Sequence, residues 1–301
     1  MDRRTERDAA PLVARPRSVF ETEPLPRVQR TERARPDGPN DDDAQGDFRS
    51  FNFHPALDDL PEESALTIEV NGKPLALLLC TPQATRELAV GWAFAQGYFD
   101  DAAGVRHIAE RGDRVSLMVE DGTEGGHRWP AFVVSGFDGS MLRLPRDPRQ
   151  IQASVAEDGL VPAGWSIPRG ELLTTINKVF GRFRTERGLG GYHHAGAGDG
   201  GGVCIIARDV SRHNAVDKVT GWSLLHRVER SRLVLCLTGR VTADICYKAW
   251  RGGFPVIAAS GLPTADAVDV AEAAGVTLVG RALDGRRSVY SHGWRLTHDD
   301  E

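Results

Sequence analysis

The sequence predicts an α/β protein whose C-terminal part is a parallel sheet covered by helices. Three short apolar runs of strand length, Leu233–Leu237, Pro255–Ala259 and Val276–Gly280, alternate with helical stretches at Thr242–Arg251 and Thr264–Ala274. Strands that read as continuous apolar runs are buried on both faces, and the order βαβαβ makes them parallel. An alternating strand and hairpin turn near residue 66 add a smaller hairpin-and-helix region upstream. A chain of 301 residues, 41% apolar and 26% charged, is long enough for one large domain or two modest ones.

Residues 1–60 mix Arg, Asp, Glu and Pro and include the run Asp41-Asp42-Asp43. Such a stretch buries too little apolar surface to offset its ordering entropy, so a disordered charged tail is expected. Order should begin near Ala65. Leu66–Val70 alternates, Asn71-Gly72 supplies the positive backbone angles of a tight turn, and Leu75–Cys80 returns as a more buried strand. Thr81-Pro82 then reads as N-cap and first residue of a helix with Leu88, Ala89, Trp92 and Ala93 on its apolar face, ended by Gly97. Weaker strands are expected at Val115–Val119 and Ala131–Val134, followed by a glycine-broken loop, Ser135–Ser140. These elements form an N-terminal α+β region over 61–150, with a soft boundary in the irregular stretch Leu144–Gly164. A second unit spans 165–295 and opens with a long helix, Pro168–Arg187, in which Leu172, Leu173, Ile176, Val179, Phe180 and Phe183 recur at helical spacing.

The bulk numbers exclude some classes of function. A net charge of -5 argues against a general nucleic-acid binder, which needs a surplus of Lys and Arg to replace counterions. No apolar stretch is long enough to span a bilayer, and the start leads into no signal-peptide core, so a cytoplasmic protein is expected. The four cysteines, Cys80, Cys204, Cys236 and Cys246, sit apart among apolar neighbours. Buried thiols rather than disulfides are expected.

Four constellations could carry chemistry. Gly190-Gly-Tyr-His-His194 places two adjacent histidines, His193 and His194, at what reads as a helix-to-loop junction. Gly198–Gly202 is a turn rather than a phosphate loop, because the strand Val203–Ala207 follows it instead of preceding it. Asp209–Lys218 does run from a strand into a helix, with Arg212, His213 and Asn214 in the first turn. Free backbone N–H groups, the positive helix end and Arg212 suit a phosphate, while His213 and Asp217, one turn apart, are placed to orient each other. On spacing alone, that reading and a capped helix with an internal ion pair stand level. Gly239-Arg240, Ser260–Thr264 and Arg281–Arg287 lie where strands switch to helix or turn, the edge at which open α/β sheets bind ligands. Their guanidinium groups suit a diphosphate or guanine-type acceptor, so one anionic, nucleotide-like ligand is expected there.

These residues resemble the FdhD/NarQ family of formate dehydrogenase accessory proteins. The series Gly190–His193, Asp209–Lys218, Gly239-Arg240 and Leu278–Tyr290 carries the likeness, joined upstream by Val70–Leu75 and Glu87–Gly91, so that it covers Ala65 to Trp294. The resemblance implies a cytidine-deaminase-like three-layer α/β/α fold and a homodimer. It also implies a sulfurtransferase role, passing sulfur from a cysteine desulfurase to the molybdenum bis(molybdopterin guanine dinucleotide) cofactor of a molybdenum formate dehydrogenase. That cofactor is a transient ligand, and no metal ion of the protein's own is expected. The implied cofactor-binding turn is Arg281, Ala282, Leu283, Asp284, Gly285 and Arg286, with Arg281 replacing the family's usual aromatic. His193, Arg212, His213, Asn214, Gly239 and Arg240 complete the expected contacts.

The departure lies in the catalytic loop. Where the family carries Cys-x-x-Cys, this chain has Ser135–Ser140, the pair falling near Phe137 and Ser140. Neither a phenyl ring nor a hydroxyl can accept, hold and release sulfane sulfur as a thiolate does. His194 and Ser211 also replace the family's usual small residue and glycine. Two readings follow: an accessory protein that binds the cofactor and serves formate dehydrogenase, or a non-catalytic cofactor carrier or chaperone that has lost sulfur transfer. A zinc deaminase would need His-x-Glu and Pro-Cys-x-x-Cys, and the chain has neither.

Overall fold

The computed structural model describes residues 60–120, 133–135, 161, 164–185 and 191–299. Residues 1–59 of the charged tail, most of the soft boundary, Gly190 and the loop positions Phe137 and Ser140 lie outside the described residues.

The predicted hairpin is present as β1 (Ser64–Val70) and β2 (Lys73–Cys80), antiparallel about Asn71-Gly72, whose φ angles of 50° and 77° are those a two-residue primed turn requires. After α1 (Thr85–Ala95) come β3 (Val105–Arg111), β4 (Arg114–Val119) and β5 (Val133–Ser135), giving one five-stranded sheet in the order β3-β4-β1-β2-β5. Leu66, Ile68, Leu78, Val115 and Leu117 alternate onto one face and pack under Leu88, Trp92 and Ala93 of α1. Each such fully buried large side chain contributes roughly 1.5–3 kcal/mol.

Two expectations need correction here. β3 was not foreseen, because its side chains are exposed or only partly buried and leave no period-2 signal. Helix α1 starts at Thr85, after Ala84 in the left-handed region (φ 54°), without a side-chain cap. Thr81 does not cap it because its polar groups are committed elsewhere. Its N–H donates to Asp209 Oδ2, its hydroxyl accepts from the Val210 N–H, and its carbonyl accepts from Lys218 Nζ.

The second sheet holds β7 (His193–Asp199), β8 (Gly202–Asp209), β9 (Val234–Leu237), β10 (Val256–Ala259), β11 (Thr277–Gly280) and β12 (Ser288–Ser291), in the order β12-β11-β10-β9-β7-β8. The short strands β6 (Ile167–Pro168) and β13 (Leu296–Thr297) pair separately. β9, β10 and β11 are parallel, as the apolar runs predicted. Val234, Cys236, Val256, Ala258 and Val279 face α2 (Arg169–Thr185). Leu235, Leu237, Ile257, Ala259 and Leu278 face the opposite way, toward α3 (Arg212–Leu225), α4 (Ala243–Arg251) and α5 (Ala265–Ala274). Alternate side chains thus enter two cores, and the unit is a three-layer α/β/α stack.

The Gly198–Gly202 segment is the β7–β8 hairpin turn, closed by Asp199 Oδ1 accepting from the N–H groups of Gly201 and Gly202. His193 and His194 correct a further expectation. They begin β7, paired with Asp209 and Arg208, rather than standing at a helix-to-loop junction. The two sheets meet through α1 and α3, which cross backbone to backbone at two glycines. A Cβ on Gly91 would lie 1.9 Å from the Asp217 carbonyl oxygen, and one on Gly221 would lie 1.9 Å from that of Glu87. Among the described residues no helix is long and apolar enough to cross a membrane.

Candidate functional site

One edge of the second sheet collects most of the residues singled out from the sequence. β9, β10 and β11 all end there, and β7 begins there because it runs antiparallel to β9. The loops that follow are laced together. The His194 N–H donates to Thr238 Oγ1 (2.9 Å), the Gly239 N–H to Ser260 Oγ (3.0 Å), the Gly261 N–H to the Gly239 carbonyl (2.9 Å), and the Arg281 N–H to the Gly261 carbonyl (3.0 Å). This ladder sets His193, Gly239-Arg240 and the 281–286 turn side by side. Gly239 takes φ 86°, open only to glycine at low cost, and its missing side chain leaves the His193 ring uncovered: a Cβ would sit 3.5 Å from His193 Cε1.

Helix α3 brings its first turn to the same edge. Arg212 and His213 lie close enough to His193 to depress its pKa, together with burial, which is the larger cause. The Arg212 Nε is buried without a hydrogen-bond partner, so the guanidinium is not neutralised through that atom. Arg240, Arg281 and Arg286 are exposed at the rim. Within the 281–286 turn, Arg281 takes φ 52°, Ala282 is buried and donates its N–H to the Ala259 carbonyl, and Leu283, Asp284 and Gly285 are exposed. Asp284 Oδ1 accepts from the Arg286 N–H. The Ala282 carbonyl accepts from Arg287 Nε, so both backbone groups of Ala282 are engaged within the protein and it shapes the turn rather than facing a ligand.

Asn214 has a different placement from its neighbours. Its side chain is buried, and Nδ2 donates to the Leu79 carbonyl (2.8 Å) and Asp209 Oδ1 (3.0 Å). It fastens α3 to the end of β2 rather than facing the edge. Lys218 and Asp209, both essentially inaccessible, complete the junction with an ion pair at 2.6 Å. Asp209 also accepts from the Thr81 and Ser211 N–H groups. β5 runs parallel to β2 with Ser135 opposite Leu78, so β5 ends beside the β2 end that this junction ties to the site.

The expected His213–Asp217 partnership is replaced by two separate ones. His213 Nε2 faces Asp244 Oδ2 at 2.5 Å, and Asp217 Oδ2 accepts from Lys248. Both partners come from α4, about thirty residues on, so spacing within α3 could not reveal them. Burial pushes the Asp217 carboxyl up, with the Lys248 ammonium and its hydrogen bond pulling against it. Burial would also raise Asp244, but His213, Thr242 and Lys248 outweigh it and hold the carboxyl well below the usual carboxylate range. Asp244 is the site-edge residue that sequence reasoning missed, and Thr238 and Ser260, placed at strand ends by the sequence, gain their lacing roles only in the folded chain. Each is an ordinary cap or turn residue in its own segment, and only the tertiary ladder gives it a role.

The thiols do not compensate for the altered loop. Cys80, Cys236 and Cys246 are buried. Burial pushes the Cys80 thiol up to about 11, with the Asp209 carboxylate adding to the rise, and raises Cys236 and Cys246 as well. Such thiols stay protonated at neutral pH and are poor nucleophiles. Cys204 is half-buried in β8. Among the described residues no group of three or more His, Cys, Asp or Glu side chains could hold a metal ion.

Comparison with known proteins finds relatives over most of the chain. A sulfur carrier protein FdhD from Geobacillus kaustophilus is 27% identical over 249 residues, covering 83% of this chain and 94% of the relative. Proteins of the same name from Anaeromyxobacter dehalogenans (34% identity, 79% of this chain, 88% of the relative) and Xanthomonas axonopodis pv. citri (31%, 75% and 81%) also match. A crystal structure described as a formate dehydrogenase accessory protein from Desulfotalea psychrophila shares the fold, with a TM-score of 0.63 and 24% identity over 79% of this chain and 90% of that one. With the model of the FdhD/NarQ family matching residues 61–297, the chain belongs to the FdhD/NarQ family.

Proposed function

We propose that this protein is a formate dehydrogenase accessory protein that binds the guanine-dinucleotide form of the molybdenum cofactor, bis(molybdopterin guanine dinucleotide), at the edge just described. The observation that carries the reading is the convergence of Gly239-Arg240 and the 281–286 turn, laced together by backbone and Ser260 hydrogen bonds, with the first turn of α3, whose Arg212 and His213 lie near His193. Backbone N–H groups at a helix start, a buried Arg212 Nε without a partner and exposed guanidinium groups suit a diphosphate. Uncovered by Gly239, the His193 ring offers a flat face for a base or a hydrogen bond to a phosphate. The relatives' name, sulfur carrier protein FdhD, supports the same assignment. The three-layer stack supports a cytidine-deaminase-like reading of the fold. The working partners in this account are a cysteine desulfurase, a molybdenum formate dehydrogenase and a second copy of the chain, in the cytoplasm. Calorimetric titration with GDP tests the site: the wild type should bind one GDP per chain, and Arg240→Ala should weaken binding by on the order of tenfold or more.

A second reading, favoured by the absent cysteine pair and the three buried, protonated thiols, keeps the cofactor site but removes the covalent sulfur step. The protein then acts as a carrier or chaperone for the cofactor. Mass spectrometry after incubation with a cysteine desulfurase and cysteine separates the two: sulfur transfer requires an added sulfur atom on one of the four thiols, and the carrier reading requires none.

A further inference from the structure

Asp244 belongs to none of the motifs that carry the family resemblance, yet both of its carboxylate oxygens are engaged at the site. It stands in the first turn of α4, where Thr242 Oγ1 and the Ile245 N–H both donate to Oδ1. Its other oxygen, Oδ2, lies 2.5 Å from His213 Nε2, and the two side chains keep only 19% and 16% of their accessible surface. A carboxylate is an odd neighbour for a site built from guanidinium groups and a helix N-terminus, because by charge alone it repels a phosphate. Its fixed geometry explains its presence. The 2.5 Å contact with His213 Nε2 holds the imidazole against the first turn of α4 and so sets where the ring stands at the edge.

We propose that Asp244 is a positioning residue of the nucleotide site, acting through its contact with His213 to fix the imidazole where it meets the anionic ligand. This rests on the nucleotide-binding reading above. The charged groups around His213 are Asp244 and Lys248 from α4, Arg212 and Asp217 from α3, and His193 and Asp209 from the strands. Lys248 is occupied by Asp217, leaving Asp244 as the carboxylate in direct contact with the ring.

The sign of one substitution separates this role from a bystander's. Asp244→Asn keeps the shape and removes a negative charge, so a bystander's loss would tighten GDP binding. The positioning role requires the opposite: GDP binding weakened on the order of tenfold at pH 7.5. Asp244→Glu should rescue binding. In a His213→Ala background the Asn substitution should no longer weaken binding, while thermal melts report whether each variant is folded. Failure of the wild type to bind GDP overturns the nucleotide reading and this inference with it. Wild-type binding that Asp244→Asn leaves unchanged or tightens, or that it weakens equally without His213, overturns the inference alone.

Discussion

Replacing Lys218 by methionine removes the cation from the junction that joins the two sheets, while nearly preserving the volume of its stem. In the native protein Lys218 Nζ lies 2.6 Å from Asp209 Oδ2 and donates to the carbonyls of Thr81 (3.0 Å) and Arg208 (3.2 Å). Both charged side chains are at or below 1% exposure, so solvent cannot take the cation's place. Asp209 would keep its donors from Thr81, Ser211 and Asn214 but lose its countercharge. Removing one member of a buried pair costs about 3–5 kcal/mol, and at about 2–4 °C per kcal/mol for a chain of this size the melting temperature should fall by roughly 6–20 °C. Urea denaturation at pH 7 should show the midpoint falling with little change in slope. Adding Asp209→Asn should recover part of the loss by neutralising the stranded carboxylate. A single-variant loss below about 1 kcal/mol, the size expected of an exposed pair, would refute the reasoning, because the pair would then not be acting as a desolvated one.

Gly221→Ala should destabilise by about 3 kcal/mol or more in the same assay, since its Cβ would meet the Glu87 carbonyl oxygen at 1.9 Å and force α1 and α3 apart. Cys80 should resist alkylation in the native protein at pH 8 and react only once the chain is denatured. Its folded pKa of about 11 exceeds the ordinary thiol value of 9.0, so its contribution to stability is complete below pH 9 and lost as pH rises through 11, seen as a falling urea midpoint. The pKa of His193, lowered by burial and then by Arg212 and His213, should rise when a diphosphate offsets those cations. GDP binding should therefore take up protons and tighten as pH falls through the histidine range, measured by calorimetry in buffers of different ionisation enthalpy.

The parts of the fold visible in the sequence are those in which one segment decides its own structure. Val234–Leu237, Val256–Ala259 and Thr277–Gly280 are uniformly apolar because both faces of a parallel sheet are covered, and Asn71-Gly72 states its turn outright. Helix α3 carried no amphipathic stripe: Asn214 to Leu224 are all buried between α1 and the sheet. Its motif residues marked it, and periodicity did not. The start of α1 was misplaced because Thr81 bonds to Asp209, 128 residues away, which local capping rules cannot register. The same limit applied at the site. Arg212, Gly239, Arg240 and the 281–286 turn were legible as strand-end features, while the His213–Asp244 contact and the Asp217–Lys248 pair arise only when α3 and α4 pack together. Asn214 looked like a first-turn ligand residue, and its amide turned out to be tied to Leu79 and Asp209.

The central claim is that the nucleotide-binding edge is intact although the sulfur-carrying cysteine pair is absent. Equilibrium titration of the full chain with GDP tests it most directly, with Arg240→Ala measured alongside. The account predicts saturable binding of one GDP per chain, weakened by on the order of tenfold or more in the variant and competed by inorganic diphosphate. A wild-type chain that shows no saturable GDP binding, or binding that Arg240→Ala leaves unchanged, would contradict it.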